Sequence, residues 1–316
     1  MRALRQHSWN GPEDLRLVDV DPPTPGPDEI LVRVAAAGVN FADVMQTYGT
    51  YGGGPCPPYL AGFEAAGEVV DGPAAGTTVV GTGCGAFAEY MTMQADAAAP
   101  VPAGWTGEQA LGLVLNWATA LAALRTLGRL APAETVLVHA AAGGVGQAAV
   151  RLARHYGATV LGIASPAKHA AVRAAGADDV LDPSADLAAE VRRRTAGRGA
   201  DLVLESVGGP AFAASLAAAR RITGRVVVLG EAAGEAAVTN RRLVFDDQVQ
   251  VMGLHIGVLA RAEPELYAGL LDELRALVDA GVYPPGRPTV YDLADGPRAL
   301  ADLRDRLTVG KLALRP

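Results

Sequence analysis

Residues 135–153 read TVLVHAAAGGVGQAAVRLA. The apolar run at 135–138 is a buried strand, the small residues after it form a tight turn, and the alanine-rich stretch from Gly144 is a helix that closes at Gly157. Gly143 and Gly144 let backbone approach a pyrophosphate with no side chain in the way. Gly146 lets the helix lie close to the sheet, and the helix N-terminus favours an anion. Ala141 stands where the G-x-G-x-x-G fingerprint has its first glycine, and Ala142 and Val145 complete the loop. A glycine-rich turn alone is a weak signal, since any strand-turn-helix can carry one; its setting decides the matter.

That setting is a series of apolar strands alternating with alanine-rich helices. ATVLGIA, DDVLD, DLVLES, RVVVLG and VQVMGL are five further strands, and PAKHAAVRAAG, DLAAEVRRRTAG and PAFAASLAAAR are helices between them. Six strands with crossover helices predict a doubly wound parallel sheet that binds a dinucleotide. At the end of the second strand an NAD site carries an acidic residue for the ribose hydroxyls; here Ser165 occupies that place, with Lys168 three residues on. Serine leaves room for a 2′-phosphate and lysine supplies charge, so NADPH is the expected cofactor. One charge-assisted bond contributes about 1.5–3 kcal/mol, roughly a 10–100-fold preference. Lys168 also suits a plain exposed helix start.

Before residue 121 the texture differs. LRLVDV, EILVRVAAAG, GEVV and AFAEYMTM are short strands between Gly- and Pro-rich loops such as PPTPGPD and YGTYGGGPCPPY, which predicts a largely antiparallel β domain. After residue 256 a long amphipathic helix follows, with Leu266, Leu270, Leu274 and Leu277 at helical spacing, then the helix GPRALADLRDRL and a last strand, KLALRP. The organisation expected is a β-rich domain (1–121), a dinucleotide-binding α/β domain (122–256) and a return to the first domain (257–316).

Composition narrows the function classes. The chain has 316 residues, 50% hydrophobic and 19% charged, with a net charge of −7. A disordered chain and a dedicated nucleic-acid binder are disfavoured. MRALRQHSWNGPEDL does not resemble a secretion signal and no run of 18 apolar residues occurs, so a cytoplasmic protein without a membrane partner is expected. Arg greatly outnumbers Lys, which occurs only as Lys168 and Lys311, so Arg-rich helix faces are mostly solvated surface.

AAAGVNFADVMQTYGTY, LAGFEAAGEVV, GAFAEY, WATALAAL and HAAAGGVGQAAV occur in the order seen in medium-chain dehydrogenases/reductases. The chain resembles the zinc-independent quinone oxidoreductase (zeta-crystallin-like) branch over nearly its whole length, which implies a GroES-like β-rich catalytic domain with a Rossmann domain. Zinc members carry Cys and His where Asn40 and Phe63 stand here, and neither can replace a thiolate or imidazole at zinc. Cys56 and Cys84 are read as buried or incidental thiols. His7, His139, His155, His169 and His255 show no ligand spacing, so no metal is expected.

Without a strong Lewis acid, alcohol oxidation is disfavoured and hydride delivery to an activated acceptor, a quinone or an α,β-unsaturated ketone, is favoured. The resemblance implies roles. Asn40 orients the cofactor or the substrate carbonyl, and Asp43 organises hydrogen bonds. Tyr51 is the candidate proton donor, though a loop aromatic lining a pocket is the plainer alternative; Tyr48 is its neighbour and competitor. Met45 stands where quinone reductases often have an aromatic, and Met45, Tyr48, Tyr51 and Phe63 line the substrate pocket. Leu229, Gly230, Leu254, His255 and Ile256 frame the nicotinamide. Arg306 matches an arginine near the cofactor phosphates, and Pro183 replaces a tyrosine near the adenosine phosphate.

Three functions compete: a quinone or enone reductase, an enoyl-thioester or dedicated enone reductase of a biosynthetic pathway, and a cofactor-binding protein without catalysis. The resemblance also implies a homodimer, formed where the apolar sixth strand VQVMGL would otherwise expose an edge.

Overall fold

The computed structural model describes all residues, Met1–Pro316, and divides into two compact units, Met1–Leu115 with Pro284–Pro316, and Asn116–Tyr283.

In the first unit the central strand is Glu29–Val39, whose side chains alternate between exposed and buried until Ala36, after which all are buried. Such a strand packs one face against a core and then runs wholly inside. It pairs antiparallel with Glu64–Asp71, Tyr90–Gln94 and Leu312–Arg315, and the last of these pairs parallel with Thr289–Asp292. Thr78–Thr82 and Ala98–Pro100 extend this sheet, and a smaller sheet joins Leu15–Asp19, Arg2–Gln6 and Tyr59–Leu60. Leu4, Ile30, Val32, Phe87, Met91 and Leu314 belong to its shared core. The sequence shows no helical pattern between these strands, yet Phe41–Thr47 is a helix. It starts where the Asp43 carboxylate turns back to accept the Asn40 backbone N–H at 2.7 Å, satisfying a donor that a helix start otherwise leaves unpaired.

The second unit holds a six-stranded parallel sheet in the order Asp179–Leu181, Thr159–Ile163, Thr135–Val138, Leu202–Glu205, Arg225–Val228, Gln250–Gly253. This is the doubly wound order 3-2-1-4-5-6, with its switch point between Thr135–Val138 and Leu202–Glu205. Both of those strands are buried at every position, as apolar runs covered on two faces should be.

The units divide after Leu115 and after Tyr283, whereas the sequence places the divisions at 121/122 and 256/257. The difference comes from the long helix Pro264–Asp279, which buries Leu270, Leu274 and Leu277 within the second unit; Leu266 is exposed. The Tyr156 hydroxyl donates to Glu273 at 2.6 Å, and Trp117 stacks on Tyr283 with ring centroids 3.6 Å apart. The sequence grouped that helix with the final strand because nothing in its own periodicity names its partner. One helix, Gly107–Leu127, is long and apolar enough to cross a membrane, but 72% of its apolar window is buried in the fold, as in a core helix.

Candidate functional site

The glycine-rich turn of the second unit lies at the carboxyl ends of the strands. The helix it opens, Gly144–His155, starts at the N-cap Gly143. A Cβ at Gly146 would stand 2.3 Å from the Ala140 carbonyl oxygen and 2.6 Å from the Ala141 Cα, so only glycine lets the helix lie this close to the turn. A Cβ at Gly143 would meet only the Ala140 oxygen, at 3.3 Å, and one at Gly144 would meet the Asn116 side chain at 3.1 Å. Ala141 and Ala142 are buried, and Val145 is half-buried. A helix start with no side chain over Gly143 makes a cradle that fits a dinucleotide's phosphates.

Ser165 is exposed and caps the turn Pro166–Lys168, its carbonyl accepting the Lys168 backbone N–H at 2.9 Å. Leu229 and Gly230 follow the fifth strand, and Leu254 follows the sixth. The Leu229 N–H donates to the Glu205 carbonyl at 2.7 Å, which ties the end of the fifth strand to the fourth beside the switch point. His255 caps the helix Ile256–Ala262, its Nδ1 accepting the Val258 N–H at 3.2 Å; Leu254 and Ile256 are buried. Below the turn, His139 is buried with Nε2 2.8 Å from the Ser215 hydroxyl, which itself donates to the Ala211 carbonyl at 2.9 Å. The hydroxyl hydrogen is thereby committed, so His139 donates through Nε2. Burial pulls its pKa down to about 4, and it is neutral.

In the first unit Asn40 ends the central strand. Leu312 pairs with Val39 and Ala65 pairs with Ala37, a register that brings Lys311 and Glu64 to the same end. Glu64 is wholly buried. The Lys311 ammonium donates to Glu64 Oε2 at 2.5 Å and to Asn40 Oδ1 at 2.7 Å. Asn40 Nδ2 donates to Glu64 Oε2 at 3.0 Å and to the Gly38 carbonyl at 3.2 Å, and the Gly112 backbone N–H donates to Glu64 Oε1 at 2.5 Å. Two charges inside a fold demand such partners. A Cβ at Gly38 would lie 2.3 Å from Glu64 Oε2, so the glycine makes room for the carboxylate.

Asp43 is buried beside this network. Burial pushes its pKa up to about 8, against the opposing pull of the Asn40 N–H and Lys311, and its Oδ1 has no hydrogen-bond partner. Tyr59 lies nearby with its hydroxyl buried and unpartnered, and its pKa is pushed up to about 12, first by burial and then by the Asp43 carboxylate.

The pocket aromatics separate. Tyr51 stacks on Phe63, the residue before Glu64, with centroids 6.3 Å apart. Tyr48 is drawn away: its hydroxyl accepts from Arg304 at 3.0 Å and its ring fills the space a Cβ at Gly11 would need. The Met45 carbonyl collects the N–H groups of Tyr48 and Thr50, both at 3.1 Å, closing the turn that leads into Tyr51. Arg306 is exposed, with φ of 59°, in the turn after the helix Gly296–Arg304. Cys56 and Cys84 are both exposed, which removes the buried alternative and leaves that of incidental thiols: each sits in a loop or at an isolated bridge, with no core to cover it. No three His, Cys, Asp or Glu side chains converge as metal ligands would.

Glu64 and Lys311 were not among the residues singled out in the sequence. The available signal was the rarity of lysine in an arginine-rich chain.

The profile described as the alcohol dehydrogenase GroES-like domain matches residues 26–103, and that of zinc-binding dehydrogenases matches residues 144–275. The human synaptic vesicle membrane protein VAT-1 homolog is 32% identical over 100% of this chain and 86% of its own length. The polyketide synthase GfsB of Streptomyces halstedii is 39% identical over 90% of this chain, which spans only 5% of that protein. Among solved structures, mycobacterial Rv1454c complexed with NADPH is 35% identical with a TM-score of 0.94, covering 100% of both chains. Escherichia coli quinone oxidoreductase complexed with NADPH is 31% identical with a TM-score of 0.93, again over 100% of both. CurK enoyl reductase is 27% identical with a TM-score of 0.88, over 99% of this chain and 98% of that one. The chain belongs to the medium-chain dehydrogenase/reductase superfamily, with a GroES-like domain and a Rossmann-type domain. Within that superfamily it is a member of the zinc-independent, quinone-oxidoreductase-like group.

Proposed function

We propose that this protein is an NADPH-dependent, zinc-independent reductase of a quinone or an α,β-unsaturated ketone. The observation that carries the reading is the Asn40–Glu64–Lys311 network, a set of fixed polar groups at the end of the strand where zinc members of the superfamily carry a ligand. Fixed hydrogen-bond groups suit an acceptor whose developing charge is spread over a conjugated system. Bound NADPH would supply the hydride. The turn at Ala141–Gly146 holds its phosphates by backbone, Ser165 and Lys168 meet the 2′-phosphate, and Leu229, Gly230, Leu254, His255 and Ile256 flank the nicotinamide. Tyr51, backed by Phe63, holds a phenol for the proton an enolate must receive; the hydroxyl of Tyr48 is engaged by Arg304.

NADPH oxidation measured with a quinone, an enone and an enoyl thioester tests the reading. A positioned general acid contributes about 10²–10⁴-fold, whereas a hydroquinone anion needs little help. Tyr51→Phe is therefore expected to slow enone reduction far more than quinone reduction, with unchanged NADPH affinity. Equal small effects on both would make Tyr51 a pocket wall. Chelation is expected to leave turnover intact, and activity lost to a chelator and restored by zinc would remove the zinc-independent assignment.

A second reading, enoyl-thioester reduction, is favoured by Met45 in the aromatic position and by the likeness to CurK and to a segment of GfsB. Turnover of enoyl thioesters above the other two acceptors would select it. In either case the functional form is a cytoplasmic homodimer joined along the edge strand Gln250–Gly253, beside which Ile222, Val244 and Phe245 are 67%, 55% and 65% exposed. An apolar patch against an unpaired edge suits a second copy. Light scattering is expected to give a dimer mass, and Phe245→Asp to shift it toward monomer.

A further inference from the structure

Glu205 ends the fourth strand of the second unit, beside the switch point, and is wholly buried. Unlike Glu64 it faces no cation: burial works against its charge, and only backbone N–H groups work for it. A buried carboxylate is costly unless it is hydrogen-bonded, so its partners matter. Its Oε1 accepts the Val207 N–H at 2.8 Å and the Gly208 N–H at 3.0 Å, and Oε2 accepts the Gly208 N–H at 3.2 Å. These bonds hold the loop that enters the helix Gly209–Ala218.

Held in this way, the loop turns its backbone toward the loop after the fifth strand. The Ser206 carbonyl accepts the Ala232 N–H at 3.3 Å, the Val207 carbonyl accepts the Ala233 N–H at 2.6 Å, and the Gly209 N–H donates to the Gly234 carbonyl at 2.9 Å. The approach is close: Gly208 has φ of 71°, and a Cβ there would stand 2.3 Å from the Gly234 carbonyl oxygen. The pairing of the two strands thus continues past their ends. Leu229 and Gly230 lie between the bond from the Leu229 N–H to the Glu205 carbonyl and the first bond between the loops. Glu205 holds that stretch from both sides, by its own carbonyl and, through Ser206 and Val207, by its side chain.

We infer that Glu205 is a positioning residue for the nicotinamide end of the cofactor: its carboxylate clasps the loop after the fourth strand, and the backbone of that loop fixes the loop after the fifth, which begins with Leu229 and Gly230. This rests on the reading that sets the nicotinamide beside those two residues.

Two arms test this. Hydrogen–deuterium exchange reads the loop 230–234, where Ala233 is exposed and its N–H is shielded from water by its bond to Val207. Protection of the Ala232 and Ala233 N–H groups is expected in the unmodified protein, lost in Glu205→Ala and restored in Glu205→Gln, whose amide oxygen replaces Oε1 as acceptor of both N–H groups. In the binding arm Glu205→Ala is expected to raise the NADPH dissociation constant about tenfold, the scale of one hydrogen bond, and Glu205→Gln to restore it. The affinity for 2′,5′-ADP, which carries the adenosine and its 2′-phosphate but no nicotinamide, is expected to stay unchanged in both. Where Glu205→Ala does not fold, Ala233→Pro deletes the N–H given to Val207 from an exposed position and is expected to show the same selective loss. Intact protection and NADPH affinity in folded Glu205→Ala, equal loss for NADPH and 2′,5′-ADP, or a Glu205→Gln variant that behaves like Glu205→Ala would each overturn the proposal. Unmodified protein that binds 2′,5′-ADP as tightly as NADPH would instead remove the placement of the nicotinamide, and the exchange arm, which needs no cofactor, would still decide what Glu205 holds.

Discussion

In the second unit the candidate binding turn is made of backbone: Gly143, Gly144 and Gly146 contribute by lacking side chains, and all lie within four residues of one another. In the first unit the candidate site is made of side chains, Asn40, Glu64 and Lys311, separated by 24 and 247 positions and joined only by strand pairing. A backbone site fails when something is added to it. A side-chain site fails when a partner is taken away or displaced, and it can store charge that responds to pH.

The largest effect is expected where addition is least tolerable. Gly146→Val would drive a branched side chain into the Ala140 and Ala141 backbone, where even a Cβ would be 2.3 Å from an oxygen. NADPH binding, read by fluorescence titration, is expected to fall more than roughly 100-fold, since misplacement on the scale of an ångström alone costs that much. Gly143→Ala, with its nearest contact at 3.3 Å, is the control and is expected to bind nearly normally. If the two variants behave alike, close packing at Gly146 is not what shapes the turn.

Lys168→Ala removes a charge from the otherwise uncharged second-unit site. The NADPH dissociation constant is expected to rise about 10–100-fold, the worth of one charge-assisted bond, with NADH affinity unchanged. Equal loss for both cofactors would place Lys168 outside the 2′-phosphate contact.

Gly38→Ala brings the logic of addition to the first unit. Its backbone φ suits any residue, but the new methyl would press on Glu64 Oε2 and on Lys311 Cε, 2.3 Å and 3.0 Å away. The expected result is a kcat lowered by about tenfold, less than a full misplacement, with NADPH affinity intact. Unchanged kcat would show that the carboxylate yields without disturbing Asn40.

These contrasts explain what could be read in advance. The six-stranded parallel sheet and its first turn were legible because its strands are apolar runs and that turn carries its own glycines, whereas the order of the strands became visible only in the structure. The helix Phe41–Thr47 was not, because seven residues hold too little periodicity and its start depends on Asp43 folding back to Asn40. Asn40 was legible only through family likeness. Its orientation is set by Lys311, which lies 271 positions away.

The smallest expected effect concerns pH, and it separates the units by sign. Asp43, in the first unit, has its pKa raised from 3.8 to about 8 by burial. Between those values the folded state holds more proton than the unfolded one, so the stability it contributes is full below pH 3.8 and is lost as pH rises through 8. His139, in the second unit, has its pKa lowered from 6.5 to about 4, also by burial. There the unfolded state holds more proton, so stability is full above pH 6.5 and is lost as pH falls through 4. Asp43→Asn keeps an acceptor for the Asn40 N–H, and His139→Gln keeps a donor for Ser215. Relative to the unmodified protein, Asp43→Asn is expected to gain stability progressively from pH 5 to 8, and His139→Gln from pH 6.5 down to 4.5. At about 2–4 °C per kcal/mol, each gain should reach a few degrees in calorimetry. Should the units unfold in separate transitions, each variant would move only its own unit's transition. A Tm difference that stays flat with pH in either variant would mean that the buried group titrates at its ordinary value and is reached by water.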